Sequence, residues 1–125
     1  MTGVLLDTDV LIEVLRQRDD ALVARWKWLT AGPEEIFYAA INVAELWQGM
    51  RPREEESVLE LLSTLKFLPL TFEIGRRAGD YSRKYGPSHG LGLEDALIAA
   101  TAAEYGCALW TRNRKHYPMK DIQLF

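Results

Sequence analysis

Apolar residues open the chain as a short unbroken run, Val4-Leu5-Leu6, and then change period. After Asp7-Thr8-Asp9 the apolar positions from Val10 to Arg16 recur at helical spacing, with Asp9 as the expected N-cap. A buried strand that feeds a helix is the first unit of an α/β fold. The same alternation continues. Asp19-Asp20 precedes a helical stretch from Ala21 to Leu29 that stops at Ala31-Gly32-Pro33, and Ile36 to Ile41 reads as a second strand. Asn42-Val43-Ala44-Glu45 has the form of a capping box, Asn42 as N-cap and Glu45 three residues on, opening a helix that fades by Gly49 to Pro52. A helical pattern runs through Leu59, Leu62 and Leu65, and Phe67 to Leu70 is a short strand. An amphipathic helix is predicted over Phe72 to Tyr85, and a loop over Gly86 to Gly92. Alanine and leucine crowd Leu93 to Tyr105, as in a buried helix, with Gly106 as its C-cap. Ala108 to Thr111 and Ile122 to Leu124 are the last strands, separated by a turn or short helix over Arg114 to Tyr117. The expectation is an α/β, three-layer α/β/α domain spanning residues 1–125, with a central, mainly parallel sheet.

Composition keeps this picture and narrows the setting. A length of 125 residues supports one core, and 48% hydrophobic with 26% charged residues is ordinary for a soluble domain. No apolar run reaches bilayer length, the first residues lack a signal-peptide pattern, and a lone Cys107 excludes an internal disulfide framework. A cytoplasmic location is expected, with Cys107 as a small buried hydrophobe. Net charge is −3, so attraction to a polyanion has to be local. Cations cluster at Arg51 and Arg53, at Arg76 and Arg77, at Arg83 and Lys84, and at Arg112, Arg114 and Lys115.

The candidate chemistry lies in the acids. Asp7 ends the first strand, Glu45 opens the helix after the second, Asp95 opens the buried helix, and Asn113 follows the strand ending at Thr111. Parallel strands present their carboxyl ends on one side, so these residues are expected to converge on one edge. Asp95 reaches it because a helix antiparallel to the strand it feeds begins at that strand's carboxyl end. Carboxylates gathered from three elements repel unless a cation neutralises them, and oxygen donors suit Mg²⁺, with Mn²⁺ able to substitute.

Asp7-Thr8-Asp9-Val10-Leu11-Ile12, Asn42-Val43-Ala44-Glu45-Leu46, the run Leu93 to Ala102 and Thr111-Arg112-Asn113 together resemble the PIN-domain ribonucleases, specifically the VapC toxins of toxin–antitoxin systems. The resemblance covers essentially the whole chain in the family's order. It implies a Mg²⁺-dependent endoribonuclease toxin, homodimeric and neutralised by a cognate VapB-type antitoxin. It also implies Asp7, Glu45, Asp95 and Asn113 as the catalytic set, with Asp7 and Asp95 as direct metal ligands and Glu45 acting through a water or orienting the nucleophile. Asn113 departs from the aspartate that many relatives carry, and an amide adds no charge, so a single metal is expected; Asp9 either supplies extra charge or caps the helix. Water-driven cleavage leaves 5′-phosphate and 3′-hydroxyl ends. Arg112 and Arg114, flanking Asn113, are the expected RNA-binding residues, and Trp47 and Tyr117 are either base-stacking or core aromatics. His89 and His116 each look isolated in a loop or turn and carry no expected role. Exposed apolar residues on the Trp26 to Leu29 and Leu59 to Leu65 helices are expected to serve the dimer or the antitoxin. Two other readings fit the opening motif: a phosphatase of the haloacid-dehalogenase type using Asp7 as nucleophile, and a non-catalytic module that keeps the scaffold.

Overall fold

Val4–Leu6 (β1) forms the middle of the sheet in a computed structural model that describes residues 3–125. Ile36–Ala39 (β2) and Ala108–Trp110 (β4) pair with it on either side, Lys66–Leu68 (β3) extends the sheet beyond β2, and Gln123–Leu124 (β5) beyond β4. The order is β3-β2-β1-β4-β5 and every pairing is parallel, so the sheet is wholly rather than mainly so. All three residues of β1 are buried, which is why it reads as a continuous apolar run instead of alternating. Alternation survives in the partners. Val4 and Leu6 pack with Trp110 on one face, whereas Leu5 packs with Leu109 and Ala39 on the other.

Each face has its own helical layer. Thr8–Arg16 (α1), Asp20–Ala31 (α2), Ala40–Gly49 (α3) and Glu55–Ser63 (α4) contribute Val10, Leu11, Leu29, Leu46 and Val58 to the first. Phe72–His89 (α5) and Leu93–Tyr105 (α6) contribute Ile74, Ala78, Ile98 and Ala99 to the second. This is the expected three-layer α/β/α arrangement. Gly3, just before β1, is required by crowding: a Cβ there would lie 2.9 Å from the Glu35 carbonyl oxygen. Cys107 is buried and burial pushes its thiol up to about 11, in keeping with a hydrophobe.

Several element ends differ from the pattern-based expectation, and three of them have a clear physical reason. The N-cap of α1 is Asp7, whose side chain accepts the Thr8 N–H, and Asp9 falls in the first turn. Helix α3 begins at Ala40 rather than after Asn42, with β2 ending at Ala39. Ala39 has no side-chain acceptor, so the cap is made from inside the helix: Asn42 Oδ1 accepts the Ala39 N–H at 2.7 Å. Glu45 is thereby released from capping. Finally, α5 runs through Pro87 to His89, shortening the predicted loop to three residues, Gly90 to Gly92. Proline deletes one helical hydrogen bond, but Gly90 adopts the left-handed conformation (φ 64°) and its N–H closes on the Gly86 carbonyl, so the stop comes one turn later.

Candidate functional site

Asp7 stands where β1 becomes α1, and both of its oxygens are engaged. Oδ1 accepts the Thr8 N–H at 2.8 Å, while Oδ2 accepts the Thr111 hydroxyl at the end of β4 and the Tyr117 hydroxyl, each at 2.8 Å. The Tyr117 hydroxyl is also 3.2 Å from Asp95 Oδ1 in the first turn of α6, and Asp95 Oδ2 is 3.3 Å from His116 Nδ1. Glu45 joins through Thr8. Its Oε1 accepts the Thr8 hydroxyl at 2.7 Å, and that hydroxyl accepts Asn42 Nδ2 at 2.9 Å. Asn42 is fully buried and spends its other amide hydrogen on the Leu6 carbonyl, fastening the end of β1 to α3. Asp9 lies beside them, accepting the Arg112 N–H at 3.2 and 3.4 Å and Asn113 Nδ2 at 3.3 Å.

This edge is short of positive charge. Burial raises the Asp7 carboxyl above its usual range despite three hydrogen bonds that oppose the shift, and the charge of Asp95 adds to it. Burial and the charge of Asp7 lift Asp9 to about 6. Glu45 is raised by burial, opposed by its bond from Thr8, and pushed further by Asp7, Asp95 and Glu94. The Tyr117 hydroxyl is pushed far up by burial and by the same two aspartates. A neighbouring acid shows the opposite case. Glu13, buried on α1, is held below the usual range by its bond from Arg18 first and by Arg112 as well.

The structure therefore brings Asp7, Glu45, Asp95 and Asn113 to one edge of the sheet. The arginines are placed differently. The Arg112 guanidinium bridges Glu13 at 3.1 Å and Asp19 at 3.3 Å, and Arg114 Nη1 donates to the Phe125 carbonyl at 3.1 Å, so both basic side chains have protein partners. Each retains exposed surface.

A sequence model described as the PIN domain matches residues 4–121, nearly the whole chain. The chain belongs to the PIN-domain family. Among similar proteins is a ribonuclease, VapC10 of Mycobacterium tuberculosis, 41% identical over 119 residues that cover 93% of this chain and 86% of the relative. The solved FitAcB structure of Neisseria gonorrhoeae is 29% identical, covers 98% of this chain and 96% of that one, and superposes with a TM-score of 0.73. VapBC2 of Rickettsia felis, solved bound to a DNA fragment from its promoter, has a TM-score of 0.78 at 22% identity over 98% of this chain and 96% of that one, and shares the fold.

Within this PIN domain, several residues matter that sequence patterns did not single out. Thr8 and Asn42 orient Glu45, Thr111 and Tyr117 hold Asp7, and His116 is not isolated, because it touches Asp95. The Tyr117 ring is 4% exposed, which removes it as a base-stacking surface, and Trp47 is partly buried against the α1–α4 core. His89 bonds the adjacent Ser88 hydroxyl and meets the Tyr85 ring edge to face. The phosphatase reading falls with the family, because the model that matches nearly the whole chain is the PIN domain.

The donor set fits a hard divalent cation. Asp7 and Asp95 meet at a shared hydroxyl, burial disfavours uncompensated negative charge on Asp7, and both side chains offer oxygen donors. Among the described residues no three acidic, histidine or cysteine side chains close a complete cage. Two carboxylates with retained water is the habit of Mg²⁺ rather than of a caged structural ion.

Proposed function

We propose that this PIN domain is a Mg²⁺-dependent endoribonuclease, the toxin of a VapBC-type pair, working in the cytoplasm and neutralised by a cognate VapB-type antitoxin. The observation that carries this reading is the group of mutually repelling carboxylates, Asp7, Glu45 and Asp95, linked at one sheet edge by the N–H and hydroxyl of Thr8 and the hydroxyl of Tyr117. Asp7 and Asp95 hold the cation, for which Mn²⁺ can substitute. When bound, it supplies Lewis acidity toward the phosphodiester and lowers the pKa of water. Glu45 takes the proton of the attacking water: burial and the nearby acids make it a stronger base than an ordinary glutamate, and Thr8 fixes one of its oxygens. Asn113 steadies Asp9 without adding charge. Arg114 and the exposed part of Arg112 contact the RNA backbone, an attraction that weakens as salt rises.

Likeness to VapC10 and to the FitAcB structure supports both the activity and the antitoxin partner. Trp28 and Leu59, 70% and 52% exposed on α2 and α4, are the surfaces offered to the antitoxin or to a second copy in a homodimer. Among the described residues no helix is long and apolar enough to cross a membrane. Incubating the purified chain with total RNA, with Mg²⁺ or with EDTA, tests the proposal. Metal-dependent fragments with 5′-phosphate and 3′-hydroxyl ends, lost in Asp95→Asn, are the expected result; 2′,3′-cyclic phosphate ends or EDTA-resistant cleavage would sink it.

A further inference from the structure

Asp7 and Asp95 come from different elements: one follows β1 and the other lies in the first turn of α6. A carboxylate at the end of a flexible torsion turns freely unless something holds it, and Mg²⁺ tolerates little departure from its preferred geometry. The residue that touches both is Tyr117, through one hydroxyl at 2.8 Å from Asp7 Oδ2 and 3.2 Å from Asp95 Oδ1. A phenol has a single proton to give, and the shorter contact receives it. The ring itself is locked, 4% exposed and packed in the same hydrophobic cluster as Ala96 and Ala99 of α6. Its oxygen is thus a fixed reference point shared by the two acids.

We propose that Tyr117 is a positioning residue for the cation site, setting the mutual orientation of Asp7 and Asp95 before any ion arrives. The inference rests on the metal-dependent reading above. Thr111 provides the internal contrast, because its hydroxyl makes an equally short bond to Asp7 but reaches no second acid of the pair. Hydroxyls that orient ligands from outside typically change metal affinity by roughly 10- to 100-fold when removed.

Mn²⁺ binding to the full chain, read by calorimetry and by the loss of the free-ion EPR signal, tests this without reference to activity. Tyr117→Phe, Thr111→Val and Asp95→Asn are compared singly, and each hydroxyl variant is then combined with Asp95→Asn. Tyr117→Phe is expected to weaken Mn²⁺ binding by roughly 10- to 100-fold. That loss largely disappears in the Asp95→Asn background, whereas the Thr111→Val loss is the same in both. A folded Tyr117→Phe chain that binds Mn²⁺ like wild type, or loses the same factor in both backgrounds, overturns the inference alone. A wild-type chain that binds no Mn²⁺ overturns the metal-dependent reading as well. Should Tyr117→Phe not fold, the wild type still decides: the Tyr117 Cζ resonance in ¹³C-tyrosine-labelled protein must shift as Mg²⁺ saturates, and a stationary resonance refutes the role.

Discussion

Tyr81 and Tyr117 perform the same act in two regions of the molecule with opposite consequences. Each is a nearly buried phenol that donates to an aspartate, Tyr81 to Asp121 at 2.6 Å and Tyr117 to Asp7 at 2.8 Å. Beside Tyr81 the charge is closed internally, since Arg77 reaches Asp121 at 2.7 Å and Glu104 at 2.5 Å. Around Tyr117 the acids are joined by hydroxyls, an N–H and the His116 imidazole, with no arginine or lysine side chain bonded to Asp7 or Asp95 among the described residues. The first network is a finished structural joint. The second leaves the fold carrying repulsion that the proposed cation would relieve.

That contrast can be broken most severely by chemistry. Asp95→Asn should lower RNA cleavage roughly a thousandfold, the several kcal/mol of a metal's contribution at tenfold per 1.36 kcal/mol, without lowering the metal-free melting temperature at pH 7. A destabilised variant would show that the acid belongs to a structural joint after all. Arg77→Ala makes the converse test: a loss of about 1 kcal/mol, hence a melting temperature lower by a few degrees, with cleavage unchanged. Asn113→Asp adds a charge where the amide now donates to Asp9, so the metal-free chain should melt slightly lower and recover when Mg²⁺ is added. If Mg²⁺ fails to restore it, the position lies outside the cation's influence.

The smallest effect concerns pH. Asp9 has an unfolded value of 3.8 and a folded value of about 6, so between those limits the folded state holds more protons than the unfolded state. Its contribution is fully present below pH 3.8 and is lost as pH rises through about 6, and Asp7 and Glu45 act in the same direction. Glu13 and Glu54, held low by arginines and a backbone N–H, act in the opposite direction and are felt only in stronger acid. Metal-free protein should therefore melt higher at pH 5 than at pH 7, with a shallower dependence in Asp9→Asn; differential scanning calorimetry across that range decides it.

Sequence patterns carried the scaffold well wherever period and punctuation agreed. The run Val4 to Leu6, the alanine-rich helix closed by Gly106 and the placement of Asp7 at a strand end were all legible from local chemistry. Errors arose where one signal fits two phases. Asn42 satisfies a capping pattern either as the cap or from inside the helix, and only the backbone of Ala39 decides between them. Gly86 to Gly92 reads as a loop, yet the helix tolerates the bond lost at Pro87 when Gly90 closes it a turn later. The hydroxyls of Thr111 and Tyr117 were illegible for another reason: they meet Asp7 across separations of 104 and 110 residues, and no local periodicity encodes such a contact.

Those separations also govern when the site comes into being. Synthesis runs from the N-terminus, so Asp7 and Glu45 exist long before the segment that completes their surroundings. Until β4 has inserted beside β1 and Tyr117 has been made, Asp7 lacks two of its three hydrogen-bond donors and Asp95 has nothing to face. A partly made copy carries the acids without their arrangement, so cleavage is expected only once the segment around Tyr117 has joined the fold.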